Sequence, residues 1–217
     1  MAETVEAAQS RRRTQAERRA ATRASVLAAA RSVFARRGLR GASLEQIAEE
    51  AGVSRGAVYY NFDDKEHLFL ALLRERCLAR AERLERIGAD SDDVGADIRR
   101  VAMKFIEDAE HDPEWTRLFV EFTALAAERP ELRAELAEEL AACRAAIAAI
   151  LERRLSDLGV ASTIPMNQLA AVTAALANGL VLERLADPAL PRDLLAHTVE
   201  LIIAGVQATA NEPGARG

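Results

Sequence analysis

Between Ser43 and Lys65 the chain gathers the side chains best suited to chemistry: Ser43, Ser54, Arg55, Gly56, Ala57, Tyr59, Tyr60, Asn61 and Lys65. Their types fit recognition of a polyanion that also offers hydrogen-bonding edges. Arg55 matches the paired acceptors of guanine, the Ala57 methyl suits a thymine methyl, and Gly56 lets backbone come close. Ser43, Ser54, Tyr60 and Lys65 can donate to phosphate oxygens, which fixes register without reading sequence. Tyr59 fits either a DNA contact or packing beneath its helix.

The elements that must position these groups are two short helices meeting at a tight turn. Ser43 with Gln46 forms a capping box, and Leu44, Ile47, Ala48 and Ala51 repeat at helical spacing. Gly52 supplies the left-handed residue that closes the first helix, and Val53 plugs the corner. Ser54 then caps a second helix from Arg55 to about Asn61. This is a helix-turn-helix, a motif that places its second helix in the DNA major groove. A plain helical corner is the alternative. Against it, the second helix exposes Arg55, Gly56, Ala57, Tyr59 and Tyr60, and only Val58 reads as obligatory core. Asp64-Lys65-Glu66 opens another helix at once, so a lysine and a helix N-terminus both lie where a phosphate could be held.

From Ala21 to Leu73 the chain resembles the DNA-binding domain of the tetracycline-repressor (TetR/AcrR) family of bacterial transcriptional regulators. The resemblance is carried by the helix from Ser25 to Gly38 and by the Gly41-Ala42-Ser43-Leu44-Glu45-Gln46-Ile47-Ala48 entry. It continues through the run from Ala51 to Phe62 and Lys65-Glu66-His67-Leu68. Asn61 stands where the family often has histidine, and Asp64 where it often has Ser or Thr; both keep the local job. The resemblance implies a homodimeric repressor on a near-palindromic operator, released when a small-molecule effector binds a helical C-terminal domain. An architectural DNA binder without an effector is the second reading, and a helical enzyme a distant third.

Charge patterning agrees with a nucleic-acid-binding head. Residues 1–65 hold 12 Lys and Arg against 8 Asp and Glu; residues 66–217 hold 17 against 26, giving the net −5 of the 217-residue chain. A basic run, Arg11, Arg12, Arg13, Arg18, Arg19 and Arg23, leads into the first helix. It reads equally as an arm along the DNA backbone or as a solvated helix face. The three histidines, at 67, 111 and 197, have no metal-ligand spacing, and neither a phosphate loop nor a nucleophile elbow occurs. No cofactor, metal or catalytic residue is expected. The N-terminus carries Glu3 and Glu6, unlike a secretory signal, and no apolar run approaches the roughly 20 residues of a bilayer span. The expected location is the cytoplasm, with Cys77 and Cys143 as reduced, buried thiols.

Apolar periodicity predicts an all-α fold of about nine helices and no strand. Residues 1–12 form a disordered tail, 13–66 a three-helix DNA-binding domain with its motif at 43–62, 67–210 a helical body, and 211–217 a second tail. The fourth helix, opening at Asp64, enters both domains. Phe105, Trp115, Phe119, Phe122 and Met166, with His111 and Asn178 as polar groups, could line an effector pocket or be ordinary core. The last two helices are small-residue rich and apolar; Leu176, Gly179, Leu180, Leu195, Val199 and Ile202 are the expected dimer contacts, with burial in their own subunit as the alternative.

Overall fold

The computed structural model describes residues 15–89, 93–157, 159 and 164–210. The expected tails, and residues 90–92 of the loop after the fourth helix, lie outside them. Nine helices run through the described residues, with no strand among them. They are α1 (Gln15–Gly41), α2 (Leu44–Ala51), α3 (Arg55–Tyr59), α4 (Lys65–Ala89), α5 (Val94–His111), α6 (Pro113–Glu128), α7 (Pro130–Asp157), α8 (Met166–Ala186) and α9 (Leu194–Ala210). The chain divides into two compact units, Met1–Leu72 and Leu73–Gly217.

In the first unit α1 packs on α2 and α3. Val26, Leu27, Ala30, Val33 and Phe34 recur along α1 at three- and four-residue spacing and are all buried. Gly38 breaks the helix at φ 68, ψ 174, a region open in practice to glycine alone, and lets the chain turn so that Leu39 is fully buried. Ile47 and Ala48 from α2, Val58 from α3, Phe62, and Leu68 and Phe69 from α4 complete the core. Each large side chain so buried contributes about 1.5–3 kcal/mol before the entropy of ordering it.

In the second unit α5 packs on α6, α8 and α9, α6 on α7, and α7 on α8. Starts are set by caps. The Asp93 carboxylate accepts from the Ala96 N–H, and the Asp112 carboxylate from the Trp115 N–H, with Pro113 in the first turn of α6. One core cluster joins Ala102 and Ile106 of α5, Ala177 and Val181 of α8, and Leu195 and Ala196 of α9.

The membrane expectation needs one correction. By length and composition alone α8 could cross a bilayer, which the sequence reading missed because isolated polar residues interrupt the run. In the fold α8 packs on α5, α6, α7 and α9, and its Arg184 is ion-paired with Glu110 of α5.

Candidate nucleic-acid interface

α2, the turn and α3 form as their residues dictate. Ser43 Oγ accepts from the Gln46 N–H at 3.3 Å while the Ser43 N–H donates to Gln46 Oε1 at 3.2 Å, so both halves of the capping box are present. Gly52 sits at φ 66, ψ 31; its N–H reaches the Glu49 carbonyl, and the Val53 N–H reaches Ala48, closing the helix in a Schellman turn. Ser54 Oγ accepts from the Ala57 N–H at 3.2 Å. Only Val58 of α3 is buried, its side chain pinning the helix to the core, while Arg55, Gly56, Tyr59 and Tyr60 face solvent. α3 is two residues shorter than expected, although N–H bonds from Asn61 and Phe62 to the Val58 carbonyl carry the turn onward.

Two rings on α3 have partners. Tyr59, 51 % exposed, donates its hydroxyl to Glu45 Oε1 at 3.4 Å, which fixes the ring against α2. Glu45 is held below the usual carboxylate range by its hydrogen bond to its own backbone, then by Ser43, Arg55 and Tyr59. Tyr60, 68 % exposed, carries the Arg19 guanidinium 4.9 Å above its ring, and Arg23 lies 4.5 Å above Phe62. Two members of the basic run thus stand beside the recognition helix.

Four expected contact residues also hold the fold. Asn61 Nδ2 donates to the Ala57 carbonyl at 2.7 Å, tying down the end of α3 and leaving Oδ1 outside that bond. Lys65 Nζ donates to the Arg40 and Ala42 carbonyls, each at 3.2 Å, and so closes the turn after the Gly38 break. An ammonium has three protons, so one is left over from these two bonds. Ser43 and Ser54 act as caps through oxygen lone pairs; the Ser54 hydroxyl proton is left to donate elsewhere, while the Ser43 hydroxyl is shared with the Glu45 carboxylate. Behind the motif, Arg36 and Ser32 of α1 hold Glu50, the Arg36 Nη2–Glu50 Oε2 pair measuring 2.8 Å, and brace α2 from its far side. Sequence spacing gave no signal for that brace, since its members are brought together by the packing of α1 on α2.

Comparison with known proteins settles what carries this motif. Residues 26–72 match the model described as bacterial regulatory proteins, tetR family, and residues 95–208 match that of the BetI-type transcriptional repressor, C-terminal. This chain belongs to the TetR family. It is a DNA-binding transcriptional regulator with a helix-turn-helix. The transcriptional repressor AcnR of Corynebacterium efficiens is 30 % identical over 148 residues, covering 68 % of this chain and 73 % of that one. A TetR-family regulator from Rhodococcus sp. superposes with a TM-score of 0.68 at 26 % identity, over 87 % of this chain and 99 % of the other. FadR of Bacillus subtilis, solved with stearoyl-CoA, gives a TM-score of 0.64 at 22 % identity over 84 % and 98 %.

In the body of this TetR-family chain the expected pocket residues scatter by environment. Phe122 is fully buried, and Phe119 and Met166 are half-buried. Phe105 lies against the α5–α8–α9 core with the Arg80 guanidinium 4.3 Å above its ring, and Trp115 is covered by Arg76 at 4.8 Å. His111 and Asn178 are both exposed. The His111 Nδ1–H donates to the Glu107 carbonyl at 2.7 Å, and Asn178 follows the buried Ala177 onto the outer face of α8. The expected interface residues divide in the same way. Leu195 is inside the subunit's own core, and Leu176, Leu180 and Val199 pack against that core, while Gly179 and Ile202 are half-buried. Among the described residues of these two helices, the large apolar side chains left to solvent are their neighbours Val172, Leu182 and Leu185 on α8, and Leu194 and Leu201 on α9.

The sequence reading missed three body features. Arg76 pairs with Asp112 at 2.7 Å and Arg83 with Asp108, so α4 presents guanidinium groups at Arg76, Arg80 and Arg83 to α5 and α6. Arg184, its side chain 10 % exposed, donates through Nη2 to Glu110, which also receives Arg192. Its Nε and Nη1 have no acceptor among the described residues. Cys77 and Cys143, distant in sequence, are brought together. Among the described residues no group of three or more His, Cys, Asp or Glu could hold a metal ion.

Proposed function

We propose that this chain is a homodimeric repressor whose two helix-turn-helix heads occupy a near-palindromic operator and leave it when a small molecule binds the helical body. The observation that carries the DNA half is α3 itself. It is a one-turn helix pinned by Val58 and capped at Ser54, with Arg55, Gly56, Tyr59 and Tyr60 facing solvent and Arg19 over the Tyr60 ring. Arg55 reads a base; Ser43, Ser54, Tyr60 and Lys65 hold phosphates. Ala57 and Gly56 admit close approach. Glu45 holds Tyr59 in place, so its ring shapes the reading face.

The dimer half is supported by a stripe on α8, where the exposed Val172, Ala175, Leu182 and Ala186 and the half-buried Gly179 fall at three- and four-residue steps, and by Leu194 and Leu201 on α9. An apolar stripe of this kind reaches water only at a cost, which a second copy removes. The weight therefore shifts from Leu195, which the subunit already buries, to these exposed neighbours. The effector half draws on the family match across residues 95–208 and on FadR, whose related fold holds stearoyl-CoA. That ligand's identity stays with FadR. For release, the effector must prefer the body of the free state over that of the DNA-bound state.

The experiment is selection of bound fragments from a bacterial genome by purified protein at moderate salt, repeated with Arg55→Ala. One short near-palindrome, lost in the variant, is the expected result. Unrelated fragments retained equally by both proteins would refute sequence reading by α3.

A further inference from the structure

α4 and α7 run side by side in parallel register. Arg74 of α4 forms an ion pair with Glu139 of α7, Cys77 meets Cys143, and Glu85 accepts from Arg153 at 2.8 Å, in the same order along both helices. The only two cysteines of the chain thus lie opposite each other between these two ion pairs, although 65 residues separate them in sequence. Both are partly exposed, so a small reagent reaches them. Charged groups surround them unevenly. Arg80 is largely desolvated, stacks on Phe105, and has no carboxylate in ion-pair range among the described residues. Its charge acts on both sulfurs, whereas Arg144 favours ionisation of Cys143 and Glu139 opposes that of Cys77.

We propose that Cys77 and Cys143 are a peroxide-reactive dithiol, in which Cys143 attacks, Cys77 resolves, and the disulfide formed ties α4 to α7. The asymmetry of charge assigns the roles. The hydrogen bond from Cys77, then Arg80 and Arg144, pull the Cys143 thiol below its ordinary value. The same hydrogen bond and burial push Cys77 up. A thiolate is the nucleophile, and a low-pKa thiolate beside a resolving thiol is the arrangement that oxidises reversibly. The Cys143 sulfur attacks one peroxide oxygen, so an S–O bond forms as the O–O bond breaks, and the departing oxygen leaves as water or alcohol. Cys77 then attacks the Cys143 sulfur; the S–S bond forms, the S–O bond breaks, and a second water leaves. The two thiols lose two electrons and two protons, and the peroxide is reduced by the same two electrons.

α4 begins with Lys65 in the first unit and carries its cysteine in the second. A covalent tie on that helix gives the regulator an oxidant-dependent input beside its effector. This last step rests on the proposed DNA binding, and is read separately from the thiol chemistry.

The test treats reduced full-length protein with hydrogen peroxide and counts free thiols by mass spectrometry. The expected product has lost two hydrogens, shows one peptide linking Cys77 to Cys143, contains no covalent dimer, and is restored by dithiothreitol. Cys77→Ser should stop at a sulfenic acid on Cys143 that a cyclic-diketone probe traps. Cys143→Ser should react at least about ten-fold more slowly, because the rate follows the thiolate fraction. Two free thiols after peroxide, disulfides only between chains, or a faster Cys77 would overturn the dithiol in the wild-type protein alone, whether or not the variants fold. Operator affinity of the oxidised form should differ from that of the reduced form by about five-fold or more, the low end of coupling between sites. Equal affinities would overturn the regulatory input while leaving the chemistry standing. Failure of the reduced protein to bind any operator would instead strike the proposed function.

Discussion

Replacing Lys65 by Met separates two jobs that the structure assigns to one ammonium. The first is internal: Nζ donates to the Arg40 and Ala42 carbonyls at 3.2 Å each, just after the Gly38 break. Hydrogen bonds from a charged donor are worth roughly 1.5–3 kcal/mol each when dry, but Lys65 is half-exposed and water can replace it, so about 1–2 kcal/mol in total is expected. Met keeps the length and apolar stem, so the loss reports the two bonds and not a cavity. The second job uses the remaining proton on a phosphate. Neutralising one fewer phosphate should lower the slope of log affinity against log salt by about 0.9 and weaken all sequences alike. Urea unfolding gives the first quantity, and operator titrations across a range of salt give the second, at a temperature where the variant is fully folded. An unchanged unfolding midpoint would refute the internal job. An unchanged slope would refute the phosphate contact even if affinity fell.

Other substitutions test other parts. Gly38→Ala should destabilise the first unit by about 1–3 kcal/mol, because φ 68, ψ 174 excludes a Cβ, whereas Gly41→Ala, whose Cβ would meet Arg37 Cβ at an ordinary 3.6 Å, should be near neutral in the same urea assay. Glu110→Gln should cost about 2–4 kcal/mol in thermal unfolding of the body, since it strands the buried Arg184 guanidinium without its only carboxylate among the described residues. Burial alone would raise the Glu110 pKa, but the bonds and charges of Arg184 and Arg192 win and hold it below its ordinary 4.5. Its contribution is therefore complete above that value and lost as pH falls through the lower folded one, so wild-type stability should drop on acidification more steeply than that of Glu110→Gln. A Cβ at Gly179 would meet nothing within 4 Å in the subunit. Gly179→Leu should leave the monomer folded, and sedimentation should show the dimer weakened; a dimer of unchanged affinity would move the interface off α8.

The head was legible in the sequence because its information is local. A capping box, a left-handed glycine and a second capping serine act over three or four residues, and each produced the turn its residues dictate. The periodicity of Val26, Leu27, Ala30, Val33 and Phe34 likewise fixed which face of α1 is buried, since helical spacing and burial are one fact. α3 ended sooner than its pattern suggested, although Tyr60 keeps helical backbone angles and Phe62 just beyond it is buried.

The body was legible only as a set of helices. Its alanine- and leucine-rich stretches are apolar on several faces, so composition could not say which neighbour each face would meet. Leu195 went inward and Leu201 outward on the same helix, and Asn178 faced water beside the buried Ala177. The sequence by itself determined the helices, their caps and the solvent-facing recognition turn, because those depend on contacts within a few residues. Only the tertiary structure decided that Lys65 closes the Arg40–Ala42 turn, that Arg184 meets Glu110, and that Cys77 meets Cys143. Such pairs depend on how whole helices pack, and no spacing along the chain encodes that.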